Sequence, residues 1–252
     1  MIQRLIAVML IAGCAAGQGI LPGLLAYKNA NAWPTIQPDA CVLAYDFRDG
    51  TAKDRSDAGN DGTILNAVPA NGVMNFNGAD AQIYTAASAI SLQYAFTVSA
   101  WVKPAKIDIG NGNVIMAQYN TGSNNRSWDI YLLSSGGYKI RVNFGDPADG
   151  TTEGTITTGA ILSTNTWQHV AVTYSSGTAL IYLNGVVQSS SASSGSVPAS
   201  LYLSAERVRL GAILIANSPT AFFNGLMDDA LLHDVALTSN EVWQVSQEHP
   251  HP

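Results

Sequence analysis

Four glutamates (Glu153, Glu206, Glu241 and Glu248) and a scatter of aspartates are the carboxylates available for acid–base work. Cleaving a glycosidic bond takes two carboxyl groups facing each other across it. No glutamate shares a strand-like stretch with a second acid at alternating spacing. Asp228 and Asp229 are adjacent, so a regular strand points them to opposite faces, where they do not act on one bond. Catalysis is therefore not the expectation. His169, His233, His249 and His251 show no zinc spacing, and His249-Pro-His251-Pro reads as a frayed tail. Recognition chemistry is better represented. Tyr119, Asn124, Asn125, Trp128 and Tyr131 crowd around one loop and the strand after it. Sugar sites stack aromatic faces and ring them with well-placed polar groups, so Tyr119, Asn125 and Trp128 are the candidate glycan-binding residues. The plainer alternative is that Trp128 and Tyr131 only pack a sandwich, since aromatics are common in strands. Having opposite parity, those two cannot both line one face of a regular strand. Trp101 and Trp167 are assigned to packing.

The elements that position these residues are strands. In Ala95-Phe-Thr-Val-Ser-Ala-Trp-Val-Lys103, Phe96, Val98, Ala100 and Val102 point one way and Thr97, Ser99, Trp101 and Lys103 the other. Pro104 ends the run. Two more stretches, 167–174 and 179–185, repeat the theme, and the three are expected as central strands of one antiparallel sheet. A first strand is expected at 41–47, followed by a loop to Gly62 dense in Asp, Gly and Asn. Residues 73–77 and 82–85 read as a hairpin. Strands are expected at 113–119, 127–133 and 138–144, the last two joined by a Ser-Ser-Gly-Gly turn. Ser189 to Ser200 reads as a mobile surface loop. Thr238-Ser-Asn-Glu241 forms a capping box that opens a short helix through Gln247. About a dozen short strands with almost no helix point to an all-β, two-sheet antiparallel jelly-roll sandwich.

Composition narrows the function. Charged residues make up 12% of the 252 residues, about half of the usual share of roughly 25%. The net charge is −6 and no Lys/Arg cluster occurs, which argues against nucleic acid as a partner. The two cysteines, Cys14 and Cys41, make no disulfide framework. Domain boundaries are expected at 1–32 (an apolar segment), 33–40 (a polar linker), 41–247 (the sandwich) and 248–252 (a tail). Between Leu5 and Tyr27 no residue is charged; as a helix this run would reach about 35 Å, enough to cross a bilayer core. Three readings stay open. One is a secretory signal that starts at Arg4 and is cut after Ala30-Asn-Ala32. Another is a lipoprotein signal with Cys14 lipidated. The third is a retained helix, using Leu5, Val8, Leu10, Leu21 and Leu24 to enter a membrane or an assembly. The stretch resembles the first helix of type IV pilins, with Leu5 where that family carries an acid. Each reading places the protein outside the cell or at its surface.

Seven segments in register resemble the laminin-G-like, concanavalin-A-like jelly-roll family of bacterial and phage surface proteins. They are Leu43-Ala-Tyr-Asp-Phe47, the loop from Asp49 through Asp54 to Gly62, Phe76-Asn-Gly-Ala-Asp80 and Phe96 to Lys103. Trp167 to Tyr174, Leu183-Asn-Gly185, and Phe223 to Asp229 with Ala236 to Glu241 complete them. The resemblance implies the fold over residues 41–247. It also implies one structural calcium between the first loop and the last strand, held by Asp228 with Asp54 or Asp49 through oxygen ligands. The competing reading makes those aspartates turn and capping residues. Such a fold hosts lectins, adhesion modules and enzymes alike. The function expected is a non-enzymatic extracellular recognition or adhesion module for a glycan or cell-surface ligand, exported or anchored by residues 1–32. The alternative is a structural subunit of a surface filament or membrane-containing virion, with the apolar helix as its membrane or self-assembly element.

Overall fold

The computed structural model describes residues 33–86, 90–107, 113–122, 124–135, 137–159, 161–249 and 251. Residues 1–32, which carry the apolar-helix and Cys14 readings, lie outside them. Among the described residues no helix is long and apolar enough to cross a membrane.

In chain order the strands begin with β1 (Cys41–Tyr45), β2 (Gly62–Leu65), β3 (Val68–Ala70), β4 (Val73–Asn77), β5 (Gln82–Thr85) and β6 (Ala95–Pro104). Next come β7 (Asn113–Asn120), β8 (Asn125–Leu133), β9 (Lys139–Gly145), β10 (Thr152–Thr158), β11 (Gln168–Ser175) and β12 (Thr178–Leu183). Last are β13 (Val186–Gln188), β14 (Ser190–Ser194), β15 (Arg209–Leu210), β16 (Ile213–Ile215), β17 (Ser218–Thr220) and β18 (Asn224–His233), before the helix α1 (Ser239–Glu248). One sheet runs β13-β12-β11-β6-β18-β4-β3, with β1 also on β18; the other runs β14-β10-β9-β8-β7-β15-β5-β2, with β16 and β17 added beside β7. This is the two-sheet antiparallel sandwich, and β6, β11 and β12 are neighbours as the sequence led one to expect.

The core lies between the sheets. Phe96, Val98, Ala100 and Val102 of β6 face Trp128, Ile130 and Leu132 of β8 and Ile140, Val142 and Phe144 of β9. Phe96 stacks on Trp128 at 5.2 Å and on Tyr174 at 5.4 Å, centroid to centroid, a geometry aromatic pairs favour.

The other face of β6 is also buried, and this creates a third layer. Helix α1 lays Val242 and Val245 on Ala44, Ala171, Tyr182 and Leu231, joined by Cys41 and Leu237, with Trp33 and Ile36 packed alongside. The capping box at Thr238 and Glu241 is formed. Thr97 ties the approach to the helix down: its Oγ1 donates to the Val235 carbonyl at 2.8 Å and accepts from the Leu237 amide at 2.8 Å.

Four local expectations change. Residues 33–40 dock on the domain instead of spanning it as a linker. The Thr35 amide donates to Glu248 at 2.9 Å, Gln37 to Glu241 at 2.6 Å, and the Ile36 carbonyl lies 3.0 Å from His233 Nε2. β4 and β5 are not a hairpin, because they belong to different sheets. Asn77 Oδ1 accepts from the amides of Ala79, Asp80 and Ala81, turning the chain across the sandwich edge. The serine-rich stretch is no free loop, since its residues 190–194 pair with β10 as an edge strand. The frayed tail is docked, as described below.

Thr97 has no exposed surface. Thr97→Val keeps the shape but strips a carbonyl and an amide of their partner, so it is expected to cost about 2 kcal/mol in a denaturant melt. Faster hydrogen exchange at Leu237 is the accompanying signature.

Candidate functional site

On the outward face of the second sheet, the residues of opposite parity to the core form a polar ladder between two tyrosines. Asp129 of β8 pairs with Asn143 of β9, which pairs with Thr155 of β10. Asn143 Nδ2 donates to both carboxylate oxygens of Asp129, at 3.0 and 3.2 Å, and Thr155 Oγ1 donates to Asn143 Oδ1 at 2.7 Å. In the next row Tyr131 lies opposite Arg141, and Arg141 opposite Thr157. Arg141 donates to the Tyr131 hydroxyl at 3.1 Å and to Thr157 Oγ1 at 3.2 Å. On the far side Tyr119 reaches Thr152 Oγ1 at 3.0 Å, with the Arg126 guanidinium 5.8 Å from its ring centre. Tyr131, Arg141, Asn143 and Arg126 are half-buried. The face therefore brings aromatic surface and half-buried, fixed polar side chains together.

The candidates around this face divide. Tyr119 belongs to it, though it is 9% exposed. Asn125 is drawn off: its Oδ1 accepts from the Ala205 amide at 3.0 Å and its carbonyl from Ser204 Oγ at 3.1 Å, so it ties two loops together. Asn124 sits beside it with φ of 49°, pressed so near Gly150 that a side chain at Gly150 would collide with the Asn124 carbonyl. Trp128 is overturned as a sugar platform. It has no exposed surface and stacks in the core, because its parity is that of Ile130 and Leu132. The residues missed were Asp129, Arg141, Asn143 and Thr155. Extending the parity argument from Tyr131 to Asp129, and then to the next strand, would have found the first three.

Among the described residues, the ligand cluster that contains Asp228 includes neither Asp54 nor Asp49, the partners expected for calcium. Asp54 is spent on its own loop, accepting from the amides of Ala44, Ser56 and Asn60 and from Ser56 Oγ, all within 2.9 Å. Asp49 accepts from Thr51 and Arg55, which hold its carboxyl near 2. Both are turn residues here.

Asp228 instead meets Asp229. The register on β6 passes from Asp228↔Trp101 to Leu231↔Ser99, so two residues oppose one. Asp229 occupies this bulge with φ of 45°. A bulge breaks the alternation that would have separated adjacent side chains, which corrects the expectation of opposite faces. The tail then covers the pair. His249 Nδ1 lies 3.1 Å from Asp229 Oδ2 and His251 Nε2 lies 3.0 Å from Asp228 Oδ2. The His251 ring stacks on Trp167 at 4.1 Å, with Trp101 edge-on at 5.3 Å. Burial, and then the Asp229 charge, push the Asp228 carboxyl up to about 8, while burial lowers His251 and holds His169 down to about 3.

Asp129 carries a pH signature. Burial pushes its carboxyl from 3.8 up to about 7, against the Asn143 hydrogen bonds and the Arg141 charge. Between those values the folded chain holds a proton that the unfolded chain releases. Its stabilising contribution is complete below about pH 4 and is lost as pH rises to about 7. Asp129→Asn is expected to melt several degrees higher than the parent at about pH 8 and to flatten the parent's decline from about pH 5.

Comparison with known proteins adds the family. No curated protein sequence matches the chain at a significant level. Among solved structures, domain 4 of an extracellular arabinanase from Geobacillus stearothermophilus, in complex with arabinotriose, is similar at 20% identity and a TM-score of 0.57. The match covers 82% of this chain and 98% of that one. The binding domain of Paraclostridial Mosquitocidal Protein 1 is similar at 16% identity and TM-score 0.62, covering 83% of this chain and 52% of its own. A botulinum neurotoxin type C structure, whose cell entry depends on two ganglioside molecules, follows at 14% identity and TM-score 0.58, covering 83% and 51%. The chain thus spans about half the length of these toxin structures, and likeness at such identity shows the fold. A family model matches residues 77–243, well over half of the sequence. With that match, the chain belongs to the concanavalin A-like lectin/glucanases superfamily.

Proposed function

We propose that this protein is a non-enzymatic recognition module that takes a glycan on the outward face of β7–β10. The observation that carries this reading is the Asp129–Asn143–Thr155 ladder set between Tyr119 and Tyr131, with Arg141 and Arg126 on the tyrosine rings. A sugar presents an apolar ring face and a fringe of hydroxyls. Tyr131 supplies the flat apolar surface, Asn143 and Arg141 supply directed hydrogen bonds, and the network beneath holds both in place before any ligand arrives. Pre-ordered polar groups on a rigid sheet bind without paying to be ordered. The arabinotriose-bound arabinanase domain and the ganglioside-dependent toxin, both on this fold, support a carbohydrate or cell-surface ligand.

The non-catalytic part of the reading rests on access. Asp228 and Asp229, the pair that the bulge brings together, are each 5% exposed and sit beneath the tail histidines, where a glycoside does not reach them. Display outside the cell, by export or by an anchor in residues 1–32, is part of the same proposal and rests on the apolar sequence between Leu5 and Tyr27.

Screening the full chain against a glycan array tests the reading. Tyr131→Ala and Asn143→Ala are each expected to weaken the best hit at least tenfold, a loss of about 1.4 kcal/mol, with the fold retained by circular dichroism. Undiminished binding in both variants would move the site off this face, and an array without hits would remove the glycan.

A further inference from the structure

We infer that Asp228, Asp229 and His251 form a site for one divalent transition-metal ion of the zinc class, which clasps the C-terminal tail onto the last strand. One ligand atom from each of the three lies within 4.8 Å of the others. Zinc binds nitrogen and carboxylate oxygen at about 2.0–2.1 Å, so tetrahedral ligands stand about 3.4 Å apart. His251 Nε2 and Asp228 Oδ2 already stand 3.0 Å apart, so the Asp229 oxygen is the ligand that has to draw in.

Each carboxylate is half-used. Asp228 Oδ2 and Asp229 Oδ2 meet the tail histidines, while Oδ1 of both is buried without a hydrogen-bond partner. A second observation comes from the neighbouring strands. His169, opposite Trp101 on β11 and in edge contact with its ring, is 1% exposed, and its Nδ1 also lacks a partner. Buried polar atoms without partners are rare and ask for an ion or water. Two carboxylates brought to one face by a bulge repel each other unless one keeps its proton or a positive charge stands between them. A cation with open ligand positions answers both conditions.

The donor set selects the ion. Calcium takes oxygen ligands throughout, whereas imidazole with carboxylate suits zinc and its neighbours. The His251 ring is held in orientation by Trp167 stacked on it at 4.1 Å and Trp101 edge-on at 5.3 Å. His249, at 3.1 Å from Asp229, orients the second carboxylate from outside. The site is on the opposite sheet from the glycan face, so its test is independent of that reading.

The full chain, stripped with a chelator and dialysed, is titrated with zinc chloride by calorimetry, and its melting temperature is read with and without the metal. Binding of one zinc per chain with a raised melting temperature is expected. His251→Ala should weaken that binding at least tenfold and abolish the zinc-linked rise in melting temperature, and calcium chloride should not compete. Should that variant fold poorly, cobalt(II) on the unaltered chain reports the same site through its visible absorption, which zinc should then quench. No zinc-linked change would overturn the proposal and leave Asp228 and His251 as a hydrogen-bonded clasp alone. Equal affinity in His251→Ala, or displacement of zinc by calcium, would also overturn it.

Discussion

Strand β6 is hydrogen-bonded to a neighbour on each side and buried on both faces, and the rest of the molecule answers to that constraint. Its inner face meets the second sheet through Phe96, Val98, Ala100 and Val102. The outer face carries Thr97, Ser99 and Trp101, each under 8% exposed, and a polar face of this kind stays dry only if something lies on it. Three pieces share that role. Helix α1 covers the Thr97 end, residues 33–40 brace the helix, and the terminal histidines reach back over Trp101. The tail is therefore held by packing, and its histidines arrive beside Asp228 and Asp229 as a consequence of covering that sheet.

The two sheets consequently do different jobs. In the first sheet the outward face is a buried interface with its own small apolar cluster. The second sheet leaves its outward face half-open, and there the strand alternation brings Asp129, Tyr131, Arg141, Asn143 and Thr157 out together. The hairpin β16–β17 leans on one margin through Ile213, packed with Val114, Ala117 and Tyr119. Groups on neighbouring strands of one sheet are fixed to each other by the ladder, and this suits recognition of a ligand with several weak hydrogen-bonding groups.

Much of this was legible in the sequence. The two-residue period from Ala95 to Lys103 marked β6, and Thr238 with Glu241 marked the start of α1. What stayed hidden depended on contacts between distant residues. Nothing in Asp228-Asp229 announces a bulge, since it arises where β18 must pair with β1 on one side and β6 on the other. Trp128 looked like a platform because its neighbours in sequence are polar, yet burial follows parity and Phe96 waits across the core. Asp54 looked like a ligand because acid-rich loops bind calcium, while its oxygens were needed by three local amides. Residues 33–40 and 249–251 are short, polar and rich in proline, a composition shared by free ends and by straps whose partners lie far along the chain.

The most direct measurement is a crystal structure of the chain with its tightest-binding glycan. The account predicts a sugar ring lying on Tyr131, with hydroxyl groups bonded to Asn143 and Arg141 and with Asp129 unmoved beneath them. A sugar seated on the loops at the rim of the sandwich, with the β8–β9 face left to solvent, would contradict it.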